Sequence, residues 1–486
     1  MLNLASILTD SARRYPNNIA IVSGKQTCTY QELEERAGMF ANSLHESGIG
    51  KGSHVYLFAP NTIEFAVYYF GVLKTGAVIV PCNPTLKVLD LEDHFNVVPP
   101  DLIIAAAPVY AELKKTRCER IWLFDAAKAA IEDKRVTLID HIIDKDKKYF
   151  RNVTKAANET AVMIFTGGID GDTKAAELSH ANMVLNAFAS GHRHIAGYTE
   201  KHTTLAVLPL FHAFGQTVHL NAGILAGSRI IMMPRFEPKL TWRLLDEEKV
   251  NVFCVVPTML GVLLATEIDP EQMIRIKKNL KPIISGGSKL DEKLKSTFEK
   301  TTGLEVREGY GLTEASPVSS YSFNNLPDKP GSIGQPLWNI DAKILDDQGN
   351  ELDHHEIGEL TIRGHNVMKG YYNDPDATDK VLKDGWLRTG DLAYIDDDGY
   401  IFLTGRKKDL FIRSGFNVYP KNLTNLLLQN NNILEVEVNS LPDPVKGEEV
   451  LARIRAKNGI VESEIEQWIR GNVAAYKRPK SIKFIH

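Results

Sequence analysis

Cysteine, a surplus of basic residues and long apolar runs are what this chain has little of, and each shortage closes a class of function. Its four cysteines (Cys28, Cys82, Cys118 and Cys254) are far apart, with no C-x-x-C pair. Neither a zinc site nor a disulfide framework is expected, and buried free thiols are. A net charge of −4 and a pI near 6.4 give no basic footprint for nucleic acid or an anionic membrane, so the expected partner is a small molecule. The most apolar longer run, Phe65 to Pro81, is interrupted by Lys74, Thr75 and Gly76, which reads as helix, turn and buried strand instead of a bilayer span. The amino terminus, MLNLASILTDSARRYP, is amphipathic and lacks the apolar core and small-residue site of a signal peptide, so a cytoplasmic location is expected.

What is present is an ordinary globular composition, 43% hydrophobic and 24% charged, in 486 residues. That is enough chain for a large core and for two to four domains or subdomains. Helical patterns alternate with short apolar strands such as His54 to Phe58, Ala77 to Val80 and Leu102 to Ala105, the rhythm of layered α/β structure with parallel strands. No repeat of solenoid period and no low-complexity tract interrupts it. Asp125 to Lys148 is polar and charged, and is expected at the surface. From about residue 325 the pattern becomes short strands and turns, GSIGQP, AKILDDQGNEL and GELTIRG among them, expected to form a small β-subdomain.

Three stretches carry chemistry. Residues 160 to 183, TAVMIFTGGIDGDTKAAELSHANM, read as a buried strand, a glycine-rich loop and a helix opened by Ser179. Freed backbone N–H groups in such a loop can face an anion, and Lys174 adds a point charge. LEVREGYGLTEASP, Leu304 to Pro317, offers an aromatic face, a hydroxyl and a carboxylate in close succession, suited to a purine, a phosphate and a hard cation respectively. DGWLRTGDLAYIDDDGYIFLTGRKKDLFIRSGFNVYP, Asp384 to Pro420, packs turns and short strands around Gly405-Arg406-Lys407-Lys408, which reads as an exposed link able to bend, because a glycine followed by three cations suits no packed strand interior.

With TGD at Thr389 to Asp391, GRKKD at Gly405 to Asp409, SGFNVYP at Ser414 to Pro420 and GYGLTE at Gly309 to Glu314, the chain resembles the adenylate-forming superfamily over essentially its whole length. PLFHAFG at Pro209 to Gly215 and GHNVMKGYYNDPDAT at Gly364 to Thr378 resemble its fatty-acyl and aryl-CoA ligase branch. The resemblance implies an α/β fold in which a large N-terminal AMP-binding domain (1–404) is built of layered α/β subdomains and the β-subdomain (about 325–404). A hinge (405–408) would then join it to a small mobile α+β C-terminal lid (409–486). It implies ATP, Mg2+ and CoA as cofactors. Tyr310 would stack on adenine beside Gly309. Thr313 would reach the α-phosphate and Glu314 would hold magnesium. Thr166, Gly168 and Lys174 would face the phosphates, while Gly286 and Gly287 line the adenine and acyl walls. Asp391 and Arg406 would hold the ribose, an acceptor-only carboxylate facing two O–H donors. Lys408 would be the pivot, His212 would border the carboxylate end of the acyl pocket, and Ser414 and Gly415 would lie beside the pantetheine path.

The departures from the family pattern are as specific as the matches. Where the family carries a Ser/Thr-rich phosphate loop, this chain reads Gly167-Gly168-Ile169-Asp170-Gly171-Asp172-Thr173-Lys174. A carboxylate about 4 Å from a phosphate charge at an effective dielectric of about 20 costs on the order of 4 kcal/mol unless a cation intervenes. Pro420-Lys421-Asn422-Leu423-Thr424 lacks the acidic residues the family has after Tyr-Pro, and the sequence given stops at His486, ahead of the family's Gly-Lys segment with the lysine that serves adenylation. Three readings therefore stand at this point. The first is an AMP-forming acid:CoA ligase acting on a carboxylic acid, a fatty acid by preference. In the second the same fold is impaired in adenylation and uses acyl-AMP or another acceptor, such as an acyl carrier protein. The third is a non-catalytic adenylate- or acyl-CoA-binding protein.

Overall fold

The computed structural model describes residues 2–125, 131–166, 172–406, 411–413, 416–443, 447–457 and 460–485. Among these, two large sheets of eight and nine strands make the bulk of the molecule. The first runs in the order Gly370–Tyr371, Lys174–Ser179, Thr160–Thr166, Val78–Pro81, His54–Phe58, Leu102–Ala106, Ile121–Phe124 and Val136–Leu138. Its inner strands are parallel and buried along their length, as expected of short runs such as HVYLF and LIIAA that show no polar alternation. The second sheet places Val306–Gly311, Ile283–Ser285, Val252–Val255, Thr203–Ala206 and Arg229–Met232 side by side in parallel, with antiparallel strands at both edges. Helices cover both. Tyr30–Glu46 starts from a Thr29/Glu32 capping box and His180–Ser190 from a Ser179/Asn182 box, each satisfying otherwise orphaned N–H groups.

Between Ile340 and Arg406 five strands form an antiparallel sheet of their own, while Gly370–Tyr371 joins the first sheet. The carboxyl-terminal residues build a small α+β unit around Phe411, Val418, Leu423, Leu427, Val450, Ile454, Ile465 and Ile469, a core separate from the two larger ones. The chain is thus α/β, with a large N-terminal and a small C-terminal domain.

Two expectations are corrected. Between the glycine-rich segment and the helix that Ser179 opens as expected, His180–Ser190, lies an unexpected strand, Lys174–Ser179, antiparallel to Thr160–Thr166 with Thr166 opposite Lys174. KAAELS favours helix by propensity, and its pairing with a buried neighbour overrides that preference. Gly405 and Arg406 are likewise not a free link, because they end the strand Ile401–Arg406, where Arg406 pairs with Asp391 and Gly405 with Leu392. That strand lies off the main path of its sheet, where an exposed glycine is tolerated. Within the polar stretch 125–148, Val136–Leu138 extends the first sheet, and Ile139 is buried.

Candidate functional site

The site lies where the carboxyl ends of the parallel strands meet the β-subdomain. Val306–Gly311 delivers Tyr310, which is buried, and its hydroxyl donates to Asp391 Oδ2 at 2.6 Å. Asp391 is in turn fixed by its place in Trp386–Ile395, directly across from Arg406. Residues 81 positions apart are thus joined at one point.

Glu314 sits on the short turn Thr313–Ala315 that follows, with Thr313 beside it. Its Oε1 accepts from Thr166 Oγ1 at 3.2 Å and from Tyr371 Oη at 3.0 Å. Burial raises its pKa, and the bonds from Tyr371 and Thr166 oppose that shift. A buried carboxylate beside a hydroxyl is a hard-oxygen donor set, and it fits magnesium, which keeps waters and takes phosphate oxygens to complete its shell. Among the described residues no group of three His, Cys, Asp or Glu could hold a metal, so Glu314 would share the ion with the substrate's phosphates.

Thr166 ends its strand at the edge of the glycine-rich segment, and Lys174 begins the next. Lys174 is buried and lies 4.0 Å from Asp374. Gly168, Lys408, Ser414 and Gly415 lie outside the described residues, as does the side chain of Arg406. The strands flanking Ser414 and Gly415, Phe411–Arg413 and Phe416–Val418, pair with Arg413 opposite Phe416. Phe416 brings the C-terminal domain onto His212, ring centroids 5.5 Å apart. His212 Nε2 is buried with no hydrogen-bond partner among the described residues, and burial lowers its pKa to about 4, so the ring is neutral at pH 7. A neutral imidazole can donate one hydrogen bond and accept another but offers a carboxylate no charge.

Beside this polar site is an apolar cavity of about 50 Å³, lined by Phe214, Val218, Ile195, Ile284, Val318 and Tyr321 together with Gly286, Gly287, Gly309 and Tyr310. The glycines are there for space. A Cβ on Gly286 would lie 3.1 Å from the Phe214 ring and from the Gly309 carbonyl, and Gly287 has φ +81°, which only glycine adopts readily.

Of the residues singled out from sequence, Thr166, Tyr310, Thr313, Glu314 and Asp391 converge, Gly286, Gly287 and Gly309 wall the adjoining cavity, and His212 stands at the contact with the C-terminal domain. Sequence reasoning missed Tyr371, which donates to Glu314, although the Gly370-Tyr371-Tyr372 motif was in view. It also missed Phe214, two residues beyond His212, and Tyr419, whose hydroxyl lies 2.9 Å from Thr166 Oγ1.

The sequence family described as AMP-binding enzyme matches residues 8–372, and that described as AMP-binding enzyme C-terminal domain matches 424–486. The chain is similar to the long-chain-fatty-acid–CoA ligase of Bacillus subtilis, 32% identical over 99% of this chain and 90% of that one. The long-chain-fatty-acid–CoA ligase of Salmonella typhimurium is 31% identical over 99% and 91%. Among solved structures, ATP-bound MatB from Rhodopseudomonas palustris superposes with a TM-score of 0.74 at 26% identity, over 100% of this chain and 95% of that one. The amide bond synthetase McbA from Marinactinospora thermotolerans shares the fold, with a TM-score of 0.86 at 21% identity over 99% and 95%.

Proposed function

The chain belongs to the AMP-binding enzyme family of adenylate-forming acyl- and aryl-CoA ligases, and from that premise we propose that it activates a fatty acid as acyl-AMP with Mg·ATP and passes the acyl group to CoA. The observation that carries the reading is the junction at Gly286, Gly287 and Tyr310, where a polar site holding Asp391 and Glu314 adjoins an apolar cavity. An acid with its carboxylate at the junction and its tail in that cavity buries apolar surface while its reacting oxygens face the nucleotide, and such positioning accounts for much of the rate of a two-substrate reaction. Tyr310 and Asp391 would hold adenine and ribose, Thr166 and Thr313 would donate to phosphates, and Glu314 would take magnesium. Neutral His212 would border the carboxylate, and Arg406 and Lys174 would add charge around the nucleotide. The C-terminal domain, turning about Lys408, would bring Ser414 and Gly415 to the pantetheine arm. The similarity to two long-chain-fatty-acid–CoA ligases favours an aliphatic acid, and so does the absence of a charged group among the residues lining the cavity.

The deciding experiment is ATP–pyrophosphate exchange over a panel of fatty and aromatic acids, beside CoA-dependent consumption of the corresponding pre-made acyl-AMPs. Exchange and thioester formation with aliphatic acids are expected. Exchange with aromatic acids alone would overturn the substrate. Consumption of acyl-AMP without exchange would favour the second reading, for which Asp170 in the phosphate loop is the specific motive.

A further inference from the structure

Ser190 closes the helix His180–Ser190 and lines the apolar cavity. It is 2% exposed, and its hydroxyl has no hydrogen-bond partner among the described residues. A helical serine commonly turns its hydroxyl back onto the carbonyl four residues earlier, but Ser190 does not. Leaving a buried hydroxyl unpaired is unfavourable by itself, because its hydration is lost and nothing replaces it.

The polar groups around it are engaged elsewhere. The Ala196 N–H donates to the Ser190 carbonyl at 3.4 Å, which puts Ile195 and Ala196 on the same wall of the cavity. There the Ile195 carbonyl accepts from Asn324 Nδ2 at 2.8 Å and the Ala196 carbonyl from Lys281 Nζ at 3.2 Å. The Tyr321 hydroxyl donates to Asn324 Oδ1 at 3.2 Å, and that of Tyr310 donates to Asp391. Asn186, one turn before Ser190, donates to the Val318 carbonyl and accepts from its N–H. The rest of the lining is aliphatic, aromatic or glycine. Among the described residues, the Ser190 hydroxyl is therefore the side-chain group of the lining left to meet an occupant.

The chemistry of that occupant follows from what one hydroxyl can satisfy. A water is a poor match, since it needs several partners and would find one. A purely hydrocarbon tail is a poor match too, because it covers the hydroxyl without answering it. A carbonyl oxygen fits, as it only accepts and one O–H donor serves it. We propose that the acid received by this cavity carries an uncharged oxygen on its chain, an oxo group above all, that accepts from Ser190. Ser190 is then a specificity-determining residue, an inference that rests on reading the cavity as the acyl site. With no cation among the lining residues, a second carboxylate is not the group in question.

The test pairs straight-chain acids of matched length with and without an oxo group. Levulinate beside pentanoate comes first, then longer pairs with the oxo carbon stepped away from the carboxylate. On the full chain and its Ser190→Ala and Ser190→Cys variants, kcat/KM in ATP–pyrophosphate exchange and the affinity of each acid by calorimetric titration are measured. The parent is expected to favour one oxo acid over its hydrocarbon match by roughly tenfold, and Ser190→Ala to bring that ratio close to one. Ser190→Cys, similar in size with a weaker donor, should fall between.

Urea unfolding without ligand gives a second measurement. Ser190→Ala should unfold at a midpoint equal to or above the parent's, since it removes a buried unpaired hydroxyl. A midpoint well below the parent's would mean that the hydroxyl is paired inside the free protein, and overturns the proposal. A ratio near one for every pair in the parent, or a preference that survives in Ser190→Ala, also overturns it, and exchange with the unsubstituted acids then leaves the ligase reading in place. A preference seen by titration and lost in Ser190→Ala, with exchange absent, supports the proposal and overturns adenylation. Silence of both exchange and titration for every acid overturns both.

Discussion

Tyr310 donates its hydroxyl to Asp391 Oδ2 at 2.6 Å, joining the last parallel strand of one large sheet to the antiparallel subdomain beyond it. The bond sets the tilt of an aromatic ring and the orientation of a carboxylate together, so what loosens one misplaces the other.

Tyr310→Phe removes that donor and leaves the ring. A hydrogen bond to a charged group contributes about 1.5–3 kcal/mol, so AMP affinity should fall roughly ten- to a hundredfold. Asp391→Asn should cost at least as much, because it removes the charge and one of the two acceptor oxygens. Equilibrium titration of AMP against both variants checks this, and an unchanged dissociation constant in Tyr310→Phe would remove the bond from the binding site.

Gly286→Val should narrow the apolar cavity, since even a Cβ there meets the Phe214 ring at 3.1 Å. The expected outcome is a loss of long acids from the accepted panel, since overpacking at one wall costs about 1–3 kcal/mol. Phe214→Ala should move the preference the other way. KM values across acids of increasing length read both.

Glu308 gives the protein a pH dependence of stability. It is buried, and burial pushes its pKa from 4.5 up to about 7 against a bond from the Leu290 N–H. A carboxyl raised in the folded state binds more protons folded than unfolded between those values. Its contribution is therefore fully present below about pH 4.5 and is lost as pH rises through about 7. The loss is roughly 3 kcal/mol. Glu308→Gln should flatten the stability profile over this range and leave the protein more stable than the parent at pH 8, as followed by urea unfolding at several pH values.

Lys74 is fully buried and pairs with Glu34 at 2.6 Å, with Thr9 and Asn152 completing its bonds. Burial lowers its pKa and the Glu34 charge opposes the shift. Lys74→Ala removes the counter-charge of Glu34 and leaves a void. Breaking a buried pair in this way costs about 3–5 kcal/mol. Lys74→Met, which fills the volume, should recover part of that loss in the same unfolding assay.

The expected strands of the parallel sheets were legible because they are short unbroken apolar runs, and the residues that meet at the candidate site because Gly309-Tyr310-Gly311 through Glu314 and Thr389-Gly390-Asp391 are contiguous. The strand Lys174–Ser179 was not legible, since KAAELS has no strand signal apart from its partner Thr160–Thr166. Tyr371 escaped because its motif spoke of the family branch and not of a bond to Glu314.

What the sequence by itself determined is therefore the α/β class, most of the order of elements and the residue types gathered at the candidate site, since each follows from periodicity or from a motif a few residues long. Only the tertiary structure decided which hydroxyl meets which carboxylate, how Phe214 and the glycines shape the cavity, and that Asp90 meets Lys477 across 387 positions. No local pattern encodes that last contact. It exists because two separately folded cores bring a buried cation and a buried anion to one boundary, where neither is tolerated alone.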